Sequence, residues 1–136
     1  MYQIKKFDNK LIVKINTSYK AIEEICKEVE KFANSKKFTE KKFALMLCIR
    51  EGLVNAIKHG NKNDPEKMVY FEIKFDGISM NVIIQDEGQG FDWQKQKKKD
   101  KQKLKKSGWG RKIIKIYANE IKYNTQGNKI QFSIKT

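Results

Sequence analysis

Asp86 is a carboxylate where the sequence pattern calls for a hydrophobe. It continues the alternating series Met80, Val82, Ile84 onto the inward side of a strand end, and a buried carboxylate is costly without a specific partner. Gly88 and Gly90 follow it, giving Asp-x-Gly-x-Gly. One reading is an aspartate turn whose glycines supply positive φ; the other is a carboxylate reserved for a ligand. Glu51 and Asn55 form a second group. Four residues apart, they share one face of a helix that is otherwise strongly apolar, in the run I-R-E-G-L-V-N-A-I-K-H-G from Ile49 to Gly60. Either they make a polar edge toward solvent, or they face a cavity. There an amide oxygen suits a hard cation such as Mg²⁺, and a carboxylate can accept or orient the proton of a nucleophile. The third group is Gly108-Trp109-Gly110. Glycines at a helix entry let an anion approach backbone amides at the positive end of the dipole, or they simply make the entry flexible.

These residues need elements to carry them. Ile4, a turn at Asp8-Asn9, and alternating Leu11, Val13 and Ile15 read as an N-terminal hairpin. Thr17 or Ser18 caps a first helix with apolar residues at Ala21, Ile22, Ile25, Cys26, Val29, Phe32 and Ala33, closed by Asn34-Ser35. Thr39 caps a second helix running to about His59. Its apolar positions include Phe43, Leu47, Val54 and Ile57, and Gly60 suits a left-handed C-cap. Val69 to Phe75 and Ile78 to Ile84 alternate around an Asp76-Gly77 turn. Residues 88–107 read as a loop, and Gly108 to about Ala118 as a short helix. Ile121 and Tyr123, then Ile130, Phe132 and Ile134, flank a turn at Gln126-Gly127-Asn128. The expected fold is α+β: a two-layer sandwich of a mostly antiparallel mixed sheet with helices on one face. The whole of 1–136 reads as one domain.

Composition narrows the function classes. The chain has 136 residues, with 30 Lys+Arg against 16 Asp+Glu, a formal charge of +14. Only Arg50 and Arg111 are arginines, although readers of bases and grippers of phosphate lean on the arginine fork. No apolar run approaches the roughly 18 residues of a membrane helix, and the start lacks a signal-peptide core. Cys26 and Cys48 form no CxxC, as expected of reduced thiols in a cytoplasmic protein. The single histidine, His59, rules out a histidine-rich metal site.

The three groups occur in one order: E-x-x-x-N on a helix, a hairpin ending D-x-G-x-G, then a loop and G-x-G opening a helix. In this the sequence resembles the GHKL ATPase superfamily, which includes gyrase, histidine kinases and MutL, and so the GHKL (Bergerat) fold. Nearly the whole chain takes part. E-G-L-V-N-A-I-K-H-G-N looks like the N box, D-E-G-Q-G-F-D like the G1 box and K-S-G-W-G like the G2 box. The closest resemblance is to the stand-alone RsbW/SpoIIAB-like anti-sigma-factor serine/threonine kinases. Histidine kinases generally lack a glutamate at the position of Glu51 and carry a separate phosphoacceptor helix pair, while gyrase-like and MutL-like enzymes are much larger.

The resemblance implies roles residue by residue. Asn55 coordinates Mg²⁺ between ATP phosphates, and Glu51 is the catalytic base toward the acceptor hydroxyl. Asp86 accepts a hydrogen bond from the adenine amine. Gly88 and Gly90 shape the base pocket; Ser107, Gly108 and Gly110 lie at the phosphates; and 91–107 form an ATP lid. It also implies a sigma factor as partner, a STAS-domain anti-anti-sigma protein as phosphorylation substrate, and a homodimer, with no direct nucleic acid and no membrane. Arg111, Trp109 and the proline-free basic lid depart from the family pattern and bear on lid geometry and turnover. The alternatives are an ATP-responsive binding protein of the same fold without kinase activity, and a basic nucleic-acid-binding domain, which leaves Glu51, Asn55 and Asp86 unexplained. The charge itself is uneven: residues 95–106 hold eight lysines against Asp100, a net of +7, half of the total. That run is either a basic lid beside a nucleotide or a solvated lysine stretch.

Overall fold

A computed structural model describes residues 2–90 and 109–136, with backbone alone for 109–111. Strands β1 (Tyr2–Phe7) and β2 (Lys10–Asn16) form the expected hairpin around Asp8-Asn9. Helices α1 (Tyr19–Ser35) and α2 (Lys42–Asn55) follow, and α2 runs on into a π-helical turn, Ala56–Gly60. Strands β3 (Met68–Phe75) and β4 (Ser79–Asp86) make the second hairpin. Helix α3 (Trp109–Tyr117), β5 (Glu120–Tyr123) and β6 (Lys129–Lys135) complete the chain.

The six strands lie in the order β1-β2-β3-β4-β6-β5, and all five pairings are antiparallel. Register sets the core. Leu11 faces Ile73, which faces Val82, which faces Phe132; Val13 faces Phe71, which faces Ile84; Ile15 faces Val69, which faces Asp86. Because facing residues share one side of the sheet, Asp86 ends a row of buried hydrophobes. The helices cover this side through Ile22, Ile25 and Val29 of α1, Leu45, Ile49 and Leu53 of α2, and Ile114 of α3, all buried. The other side is polar: Tyr70 donates to Glu72, which also pairs with Lys10.

Several local expectations are corrected. The Thr17 hydroxyl does not cap α1; it donates to the Lys67 carbonyl oxygen, and Ser18 at the N-cap makes no side-chain cap bond. Helix α2 starts at Lys42 rather than from a Thr39 cap, again without a side-chain cap bond. Phe43 is 74% exposed instead of packed, and Ile78 lies exposed in the turn before β4. Helix α1 ends through a residue that gives no glycine signal. Lys37 takes φ 57°, its N–H bonds the Asn34 carbonyl, and the Phe38 N–H bonds Ala33. This pair of bonds is the Schellman closure, and it turns Phe38 into the core, edge-on to Phe75.

Candidate functional site

The chemistry gathers where α2 and its π-turn meet the end of β4. Gly52, between Glu51 and Asn55, permits this approach. A Cβ placed on it would lie 2.6 Å from Ile84 Cδ1 and 3.8 Å from Ile114 Cδ1. The Cys48 thiol meets the Ile113 carbonyl oxygen at 3.9 Å, so α3 packs along the Cys48–Gly52 stretch. Glu51 and Asn55 are half-buried. Among the described residues, neither the Glu51 carboxylate nor the Asn55 amide has a hydrogen-bond partner. No buried side-chain polar atom among the described residues lacks a partner, so the Glu51 and Asn55 polar groups reach solvent and are open to a ligand.

Past Asn55 the helix widens. The Asn61 N–H bonds the Ala56 carbonyl, five residues back, at 2.8 Å. Such π-turns are rare and concentrate at functional sites. This one delivers Gly60 onto Asp86. A Cβ at Gly60 would fall 2.2 Å from Asp86 Oδ2 and 2.7 Å from Oδ1. Gly60 was expected as a left-handed cap, but positive φ is found instead at Lys62 and Asn63. Gly60 is small because a carboxylate occupies the space its side chain would need.

Gly88 closes the other side. Its N–H donates to Asp86 Oδ1 at 2.8 Å, and a Cβ there would meet the Gly60 carbonyl oxygen at 2.1 Å. Gly90 has φ +84°, and its absent Cβ would overlap the Gln126 carbonyl oxygen at 1.8 Å. The β5–β6 turn is therefore pressed against this loop. Asn124 organises that turn by accepting the Gly127, Asn128 and Lys129 N–H groups, and the Asn128 carbonyl accepts the Asp86 N–H at 2.9 Å. Burial pushes the Asp86 carboxyl above its usual range, opposed by the Gly88 hydrogen bond and by Lys67. Among the described residues it has no ion pair.

Asp86, Gly88 and Gly90 are thus brought together with Gly60, while Glu51 and Asn55 lie one turn apart on the adjoining helix. Gly110 sits in the first turn of α3. Ser107, Gly108 and the expected lid 91–107 lie outside the described residues. Two contributors were missed from sequence: Gly60 as the floor beneath Asp86, and Asn61, which binds the surrounding loops. A signal for the second was available, since Asn61 directly follows the helical run.

A model of the histidine kinase-like ATPase domain matches residues 15–134. The chain belongs to that family. The histidine kinase-like ATPase domain accounts for the element order and for the antiparallel sheet covered by helices on one side. Three curated relatives are each named anti-sigma F factor. Those from Anoxybacillus flavithermus, Shouchella clausii and a Geobacillus strain are 28%, 32% and 29% identical over 85, 78 and 85 residues. The aligned stretches span 60%, 54% and 60% of this chain and 58%, 53% and 58% of the relatives. The chain thus spans little more than half the length of the relatives it matches.

Proposed function

We propose that this chain is an ATP-binding anti-sigma factor and serine/threonine-protein kinase. In this reading it sequesters a sigma factor and phosphorylates a STAS-domain antagonist. The observation that carries the nucleotide part is the Asp86 cradle. A half-buried carboxylate, without an ion pair among the described residues, is fenced by two glycines: a Cβ at Gly60 would collide with the carboxylate itself, and one at Gly88 would collide with the Gly60 carbonyl beside it. Such a cradle suits an adenine. The carboxylate accepts the exocyclic amine, a charge-assisted bond, and the burial that raises its proton affinity is relieved by a donor rather than by a counter-charge.

Bound Mg²⁺·ATP would supply the phosphoryl group to be transferred. Asn55 offers an amide oxygen to the cation, and Gly110, with Ser107 and Gly108, would meet the phosphates. Glu51, one helical turn from Asn55, takes the proton of the acceptor hydroxyl. Three relatives named anti-sigma F factor support the sigma-factor part. A homodimer in the cytoplasm, without contact to nucleic acid or membrane, completes the proposal.

The test is a pull-down with and without ATP, followed by mass spectrometry of the retained partner. Phosphoserine or phosphothreonine on a STAS-domain protein, dependent on Glu51, supports the kinase. ATP-dependent exchange of partners without any phosphate would instead establish a nucleotide-responsive binding protein.

A further inference from the structure

The Asn61 side chain is 0% exposed, and only Ser79 joins it among the buried polar residues described. Every polar atom of its amide is used. Nδ2 donates to Thr17 Oγ1 at 3.1 Å and to the Met68 carbonyl at 3.0 Å, and Oδ1 accepts the Glu87 N–H at 2.8 Å. One amide therefore joins four segments: the exit of the π-turn, the β2–α1 junction, the start of β3 and the turn after β4. Glu87 adds a return bond, its carboxylate accepting the Met68 N–H.

The position of these bonds matters more than their number. Asp86 is the last residue of β4 paired with β3, opposite Val69. Glu87, the next residue, has left the sheet, and its N–H would have no ladder acceptor. Asn61 Oδ1 supplies one. Asn61 also directly follows Gly60, whose backbone lies against the Asp86 carboxylate. The same side chain thus fixes both walls around that carboxylate, the π-turn on one side and the Glu87–Gly88 turn on the other.

We propose that Asn61 is a positioning residue for nucleotide binding, setting the Asp86 carboxylate for the base without itself touching it. This rests on the nucleotide-binding reading above. Glu51 and Asn55 lie upstream on α2, so loss of the Asn61 amide weakens capture of ATP and spares the transfer step at saturating ATP.

The experiment compares wild type, Asn61→Ser and Thr17→Val, titrated with Mg²⁺·ATP and melted in parallel. Asn61→Ser removes the acceptor from Glu87 and is expected to raise the ATP Kd at least about tenfold, with KM for ATP rising and kcat retained. Thr17→Val removes only the remote end of the network. It should lower Tm and leave Kd within about twofold, a split that a merely structural role would not produce. In wild type, the Glu87 amide should exchange with solvent as slowly as the amides of β3, a readout that does not depend on any variant folding. Unchanged Kd in Asn61→Ser, or a Glu87 amide exchanging at loop rates, would overturn the inference alone. A wild type that binds no ATP would overturn the nucleotide reading and this inference with it.

Discussion

Replacing Gly60 by alanine separates two reasons for a glycine. Were Gly60 a left-handed cap, asparagine would substitute well and the damage would be to stability. Its φ is not positive, so alanine costs nothing in backbone strain and gains about 0.5–1 kcal/mol of helical propensity. Against this, the new methyl would lie 2.2 Å from Asp86 Oδ2 and 2.3 Å from Cγ. A collision of this depth forces one group aside at about 1–3 kcal/mol, and the carboxylate at the strand end has fewer restraints than the π-turn backbone. Net stability should therefore change by no more than about 2.5 kcal/mol. Binding should change more. A displaced carboxylate forfeits a charge-assisted hydrogen bond to the ligand, about 1.5–3 kcal/mol, or roughly ten- to a hundredfold in Kd. Calorimetric titration with Mg²⁺·ATP beside a urea melt reads both quantities. Gly60→Asn should behave as badly as Gly60→Ala. Wild-type ATP affinity in Gly60→Ala would refute the cradle, and rescue by asparagine would restore the capping explanation.

Other outcomes follow from the same geometry. Asp86→Asn should lose ATP binding while the apo protein becomes more stable, because burial has raised the folded carboxyl pKa. With the folded value above the unfolded one, the folded state binds more protons between the two. Apo stability therefore falls as pH rises through that window, and a pH series of melts should show this slope vanish in the variant. By the same shift, ATP affinity should begin to fall with acidification at a higher pH than an ordinary carboxylate would give. Glu51→Ala should bind ATP with wild-type affinity yet transfer no phosphate, as read with γ-labelled ATP; unchanged transfer removes Glu51 from the role of base. Gly77 and Gly90 both have positive φ, but a Cβ at Gly77 meets nothing within 4 Å while one at Gly90 meets Gln126 backbone. Chemical melts should show Gly77→Ala costing about 1 kcal/mol and Gly90→Ala at least about 2 kcal/mol more.

Much of this was legible in the residues. Strand alternation placed the hairpins, because a period of two assigns each side chain to a face. The one polar member of an inward series, Asp86, marked the candidate site. Glu51 and Asn55 were recognisable for the same reason, as polar residues interrupting an apolar helix. What was hidden depended on tertiary contact. The purpose of Gly60 lies in a carboxylate 26 positions later, and a left-handed cap is the usual local reason for a glycine there. The closure of α1 falls on Lys37, where Phe38 burial outweighs the local cost of positive φ. Thr17 and Thr39 looked like caps, yet one is used by the Asn61 network and the other makes no cap bond. Phe43 is apolar but lies off the buried face of α2, which runs through Ala44, Leu45, Cys48, Ile49, Gly52 and Leu53.

The central claim is that Asp86 reads the amine of adenine, and nucleotide discrimination tests it most directly. Guanine presents a carbonyl oxygen where adenine presents the amine, so in the same pose it sets an acceptor against the carboxylate, and its N1–H and 2-amino donors are reached only if the base shifts. Titration of wild type with Mg²⁺·ATP and Mg²⁺·GTP should show GTP weaker by at least about a hundredfold, with the difference collapsing in Asp86→Asn. Equal affinity for the two nucleotides, or a preference that survives in Asp86→Asn, would contradict it.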